Sequence, residues 1–72
     1  MQFDRKRFGL LAFLAQRELV ELGVHKSAAG YYIGTRTPEG EPNTRESARY
    51  WPKRSDALHA LQTGDWLQKW SL

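Results

Sequence analysis

The sequence reads as an α+β domain in which a long N-terminal helix packs on a β-hairpin and a short C-terminal helix follows. Three observations carry that reading. Residues 4–22 hold apolar side chains at helical spacing, residues 30–36 and 45–51 alternate around a turn-rich centre, and residues 55–64 carry helix start and stop signals. The 72 residues make one domain, 1–72, with no repeat, low-complexity stretch or linker. A chain of this size buries only about 60% of its unfolded surface, so the core rests on a few large side chains. Three Trp, three Tyr and three Phe supply them.

For the first helix, Asp4 is placed as N-cap, with Phe3 and Phe8 as a hydrophobic staple and Gly23 as the residue just past the C-terminus. At 100° per residue Phe8, Leu11, Ala12, Ala15, Leu19 and Leu22 form one stripe, the expected core face. Leu10, Phe13 and Leu14 fall on the opposite side and are the candidate interface residues for a protein partner or a second copy of the chain. Arg5, Lys6 and Arg7 fall in the first turn, where the helix dipole disfavours cations and a bound anion would offset the cost. Three solvated cations tolerated at a terminus is the simpler account.

Residues 24–29 read as a connector. In the hairpin, pairing Tyr31 with Tyr50 and Ile33 with Ala48 collects Tyr31, Ile33, Ala48 and Tyr50 on a packing face. The opposite face then carries Tyr32, Gly34, Arg36, Arg45, Ser47, Arg49 and Trp51, joined by a loop over residues 37–44. Pro52 ends the second strand. Ser55 caps a short helix with Asp56 in its first turn and Gly64 as its stop. Residues 65–70 read as a further helical turn capped by Asp65, with a short third strand as the alternative, so the hairpin has two or three antiparallel strands.

The net charge is +3, and its distribution says more than its size. Arg45, Arg49, Lys53 and Arg54 face only Glu46 across residues 43–54, and residues 4–7 hold three bases against Asp4. Two basic regions on a nearly balanced chain point to an anionic partner. The absence of cysteine rules out a disulfide framework or thiolate zinc site and fits a cytoplasmic protein. The apolar stretch 8–15 is too short for a bilayer and runs on as an amphipathic pattern, so no membrane partner is expected.

No catalytic constellation is visible. His25 and His59 have no carboxylate, serine or second histidine at catalytic or metal-ligand spacing. Glu18 and Glu21 share a helical face beside Arg17 and read as solvated charges. Gly30, Gly34 and Gly40 fit neither the dinucleotide nor the phosphate-loop fingerprint. The chain is expected to be no enzyme and to hold no cofactor or metal.

What remains is the arginine-bearing hairpin face. Guanidinium groups pair with phosphates in a forked geometry, and exposed aromatic rings stack on unpaired bases. The candidate nucleic-acid contacts are therefore Arg36, Arg45, Arg49, Lys53 and Arg54, with Arg5, Lys6 and Arg7, and with Tyr32 and Trp51 for stacking. An ordinary polar sheet face, with aromatic rings covering arginine stems, is the competing account. Residues 30–61, a hairpin, a basic turn and a short helix, are similar in outline to the small DNA-binding domains at the start of some phage-type recombinases. The likeness is one of layout and assigns no role to any residue. This chain departs from it in its leading helix and in lacking a clear third strand. The expected function is a binding module contacting DNA or RNA. The alternative is a protein-interaction module acting through the first helix, as a homodimer or as a small adaptor or inhibitor of a mobile element.

Overall fold

The computed structural model describes residues 3–71. The elements are α1 (Leu10–Gln16), β1 (Gly23–Ser27), β2 (Gly30–Arg36), β3 (Pro42–Arg45) and α2 (Arg54–Thr63). The three strands form one antiparallel sheet in the order β1-β2-β3, and with two helices the α+β class stands. None of the helices, among the described residues, is long and apolar enough to cross a membrane.

The first helix is short, not long. Asp4 does cap, but it caps a single turn: its Oδ1 accepts from the Lys6 N–H at 3.0 Å and its carbonyl from the Arg7 and Phe8 N–H groups. The chain then straightens. Phe8 bridges to Glu21, the Gly9 N–H donates to the Val20 carbonyl at 2.9 Å and the Leu22 N–H to the Arg7 carbonyl at 2.8 Å. This small ladder closes residues 9–20 into an excursion whose middle is α1. Arg17 ends the helix in the left-handed region, with φ 59° and ψ 30°. Gly23, expected just past a helix, opens β1 instead. Ala15 and Leu19, expected in the core, are exposed because the helix stops between them. The expected staple does form, with the Phe3 and Phe8 rings 6.4 Å apart.

The expected connector 24–29 is mostly strand. β1 pairs with β2 along its whole length, from Gly23↔Gly34 to Ser27↔Gly30. Ala28 and Ala29 form the turn, which Ser27 closes: its Oγ accepts from the Ala29 N–H at 3.2 Å and donates to the Gly30 carbonyl at 3.3 Å. Gly30, at φ 130°, takes a conformation closed to other residues, and a Cβ there would sit 2.9 Å from the Trp51 carbonyl oxygen. The third strand is thus present, but it precedes the expected hairpin.

The expected register is also replaced. β3 pairs Gly34 with Arg45 and Thr35 with Thr44, so the turn shortens to residues 37–41. Glu46 and Ser47 both donate their N–H groups to the Ile33 carbonyl at 2.9 Å, residues 48–50 then leave the sheet, and the chain returns at Trp51, which exchanges both backbone hydrogen bonds with Tyr31 at 2.8 and 2.9 Å. Tyr31 therefore faces Trp51, not Tyr50, and Ala48 is exposed. Five residues lie between Arg45 and Trp51, against two between Tyr31 and Gly34, too many for continuous pairing. The surplus loops out.

Pairing partners share a face. Ile33 pairs with Val24, and Thr35 with Thr44. On this face α2 packs Ala57 and Ala60, small enough for close approach, against Ile33 and Trp51, with Val24, Leu61 and Trp66 around them. The start of α1 packs on the same face at Thr35 and Glu46. α2 begins one residue after Lys53, with no side-chain cap from Ser55, and ends at Gly64 in the left-handed conformation as expected. Residues 65–70 form neither helix nor sheet strand. They run as a strap joined by a Ser47↔Gln68 bridge and by hydrogen bonds from the Ala48 N–H to Leu67 and from the Lys69 N–H to Glu46.

Glu46 organises this layer. It is fully buried, yet its carboxylate accepts from the Leu11 N–H at 2.9 Å, the Ala12 N–H at 3.1 Å, Thr44 Oγ1 at 2.7 Å and Gln68 Nε2 at 2.8 Å. A residue distant in sequence thereby caps α1, whose own N-cap, Gly9, has no side chain to do so. Among the described residues no buried side-chain polar atom lacks a partner.

Candidate nucleic-acid interface

With both helices on one side of the sheet, the other side is left open. It carries Gly23 and His25 from β1, Tyr32, Gly34 and Arg36 from β2, and Arg45 from β3. The Gly23↔Gly34 pair forms its floor. With no side chain on either strand there, Tyr32 lies over Gly34, His25 over Gly23, and Arg36 reaches across to His25. Tyr32 stands edge-on to His25 at 5.7 Å and to Tyr50 at 6.0 Å. The Arg45 guanidinium covers the Tyr50 ring at 4.7 Å and donates to the Ser47 carbonyl at 2.8 Å. Arg36 donates from Nε to His25 Nδ1 at 2.7 Å and from Nη1 to the Gly40 carbonyl at 2.6 Å.

The fold thus brings together three expected contacts, Tyr32, Arg36 and Arg45. It separates the rest. Trp51 is a buried core residue, because its pairing with Tyr31 turns it under α2, and Ser47 is buried with its Oγ accepting from the Ile33 N–H. Arg49 stacks on Trp51 at 5.2 Å beside a groove that also holds Asp56, His59 and Asp65. Lys53 and Arg54 are exposed at the start of α2, in the helix layer. Arg5 lies over Trp70 at 5.4 Å, Lys6 runs beside Gly64, and Arg7 pairs with Glu21 at 3.2 Å. Those three cations do not occupy the first turn of α1, whose N–H groups at Leu11 and Ala12 go to Glu46, and all three are exposed, as solvated cations would be. Of the interface candidates, Leu10 is half-buried, Phe13 packs on Phe3 with rings 5.0 Å apart, and Leu14 is 53% exposed.

Sequence reasoning missed His25 and Tyr50. A signal was available: no acid occurs between Glu21 and Glu39, nor between Glu46 and Asp56. The first stretch contains β1 and β2, and the second contributes Tyr50, so all of the open face but Arg45 comes from the two acid-free runs.

Burial, and then the charge of Arg36, hold the His25 imidazole below its usual 6.5, against a smaller opposing effect from a hydrogen bond to the Gly34 backbone. The consequence for stability has a definite sign. Above 6.5 both folded and unfolded chains carry neutral His25, and its contribution is complete. As the pH falls below that value the unfolded chain takes up the proton first, so stability declines until the folded value is passed. Urea melts across this range should show the decline, and His25→Gln should remove that component.

Among the described residues, no three His, Asp or Glu side chains converge as metal ligands. Comparison with family models, with curated proteins and with solved structures gives no match for this chain.

Proposed function

We propose that the protein is a non-enzymatic module that contacts nucleic acid through its open sheet face. The observation that carries this reading is the placement of Arg36 and Arg45 on a sheet face that neither helix covers. Stacking on unpaired bases is poorly served here. Trp51 lies in the core, Tyr32 is buried beneath its neighbours, and the Tyr50 ring is already covered by Arg45. Guanidinium donors on a narrow sheet suit groove and phosphate contact instead. Three strands at about 4.8 Å spacing are about 10 Å across, against a DNA major groove about 12 Å wide.

The expected result is retention of a DNA duplex at low salt, weakened about 10- to 50-fold between about 50 and 200 mM salt if two or three phosphates are contacted. Arg36→Gln with Arg45→Gln should abolish retention while the thermal melt stays cooperative. An absence of binding at low salt, or indifference to both substitutions, defeats the reading.

A second reading, a protein contact through α1 and the segment after it, is favoured by the exposure of Leu14 at 53% and Leu19 at 54%. Sedimentation as a clean monomer at high concentration, unchanged by Leu14→Glu, counts against its homodimer form.

A further inference from the structure

We infer that His25 is a positioning residue for Arg36, and that protonation of its imidazole switches the grip of the open face on an anion. The inference rests on the nucleic-acid reading above.

Its basis is a hydrogen bond that only the neutral ring can accept. Arg36 Nε always carries hydrogen, so His25 Nδ1, 2.7 Å away, holds a lone pair in this geometry. The Gly40 carbonyl takes Nη1 at 2.6 Å. Two of the three guanidinium nitrogens are therefore tied from opposite sides, while Nη2 has no hydrogen-bond partner among the described residues. Such an arrangement fixes the plane of the fork and leaves one edge for a phosphate or a base. When Nδ1 gains a proton, two N–H groups and two positive charges confront each other. Arg36 must swing away, which frees its Nε–H for the anion beside Nη2, and the face carries one more charge, so protonation tightens the grip.

Few other groups face the imidazole. From β2, Tyr32 stands edge-on at 5.7 Å, with Tyr50 and Arg45 beyond it. On β1 itself, Lys26 turns to the other side of the sheet, 5.7 Å from the Tyr31 ring. α2 lies across the sheet, so Asp56 and His59 do not face the ring. Acids lie around Arg36 instead. Glu18 and Glu21 line the groove it shares with Thr37 and Asn43, Glu21 being paired with Arg7, and Glu39 and Glu41 flank Gly40 in the turn. Arg36 is thus the one charged group in contact with His25, and the two act as a couple.

The test has two arms on the intact chain. In the free protein, the His25 ring is titrated by NMR, and Arg36→Gln should raise its midpoint. An unchanged midpoint overturns the positioning role. In the second arm, a DNA duplex of mixed sequence is titrated at fixed ionic strength at about pH 5.5 and about pH 7.5, on either side of the ordinary histidine range. Affinity should strengthen with falling pH by up to about tenfold per unit for one linked proton, and His25→Gln should flatten the profile. An equal slope in His25→Gln overturns the switch alone. No binding at either pH defeats the nucleic-acid reading and the switch together, while the NMR midpoint still decides the positioning role.

Discussion

Replacing Glu46 with alanine is expected to leave the chain without a cooperative thermal transition. The substitution removes the acceptor for two backbone N–H groups of α1, for the Thr44 hydroxyl and for the Gln68 amide, all inside a site closed to water. A hydrogen bond to a charged group contributes about 1.5–3 kcal/mol, and an orphaned buried donor costs about 1–3 kcal/mol. Even with partial relaxation the loss reaches about 4 kcal/mol or more. A 72-residue domain has in total about 4–11 kcal/mol at the usual 0.05–0.15 kcal/mol per residue. Glu46→Gln keeps the shape but turns an acceptor into a donor among donors, so it too should destabilise, by about 2 kcal/mol. Gln68→Ala removes one donor and loosens only the C-terminal strap, for about 1 kcal/mol. Circular dichroism melts of the three variants should fall in that order. A two-state melt for Glu46→Ala close to that of the parent would contradict the assignment of Glu46 as the point where α1, β3 and the strap are joined.

Substitution of Gly34 by valine should be nearly as damaging, for a different reason. Its backbone is ordinary strand, so no conformational penalty is involved. The obstacle is space. A Cβ at this position would collide with the Thr44 carbonyl oxygen and stand 2.9 Å from the Tyr32 ring. The ring can rotate away, but the carbonyl belongs to the paired strand β3, so relief requires parting β2 from β3. Overpacking of a core commonly costs about 1–3 kcal/mol, and a collision with backbone lies at or above the top of that range. The folded fraction should also lose the arrangement of Tyr32, His25 and Arg36 that the glycine floor permits. Amide spectra of Gly34→Val should therefore show shifts spreading over β2, β3 and Tyr50. Shifts confined to immediate neighbours would show that the sheet accommodates the side chain.

Much of the fold could be read locally. The β2 segment, with its two tyrosines and Ile33, alternates strongly enough to be recognised as a strand, and Gly64 ends α2 where a glycine after a helical pattern should. Asp4 and the Phe3–Phe8 staple were also true signals, but of a single turn. Misreading followed where one local pattern admits two structures. Residues 4–22 have helical periodicity, yet nothing local reveals that Val20 to Leu22 will pair with Arg7 to Gly9. β1 was hidden because Val24-His25-Lys26-Ser27 is a weak strand pattern followed by Ala28-Ala29, which carries no recognised turn signature. The register of the expected hairpin assumes an unbroken second arm, whereas Glu46 and Ser47 share the Ile33 carbonyl, residues 48–50 loop out, and Glu46 enters the core beneath α1.

By itself, then, the sequence determined the class of the domain, the central strand, the second helix and the presence of arginines beside aromatics on a sheet. Each of these depends on interactions within a few residues: periodicity, propensity, capping and turn chemistry. Only the tertiary structure decided which face stayed open and what stood on it. That choice turned on contacts between residues far apart in the chain, the Glu46 cap on α1, the return of Trp51 to Tyr31 and the pairing of Gly23 with Gly34. They exchange Trp51 for Tyr50 beside Tyr32, and they bring His25 from an apparent connector into contact with Arg36.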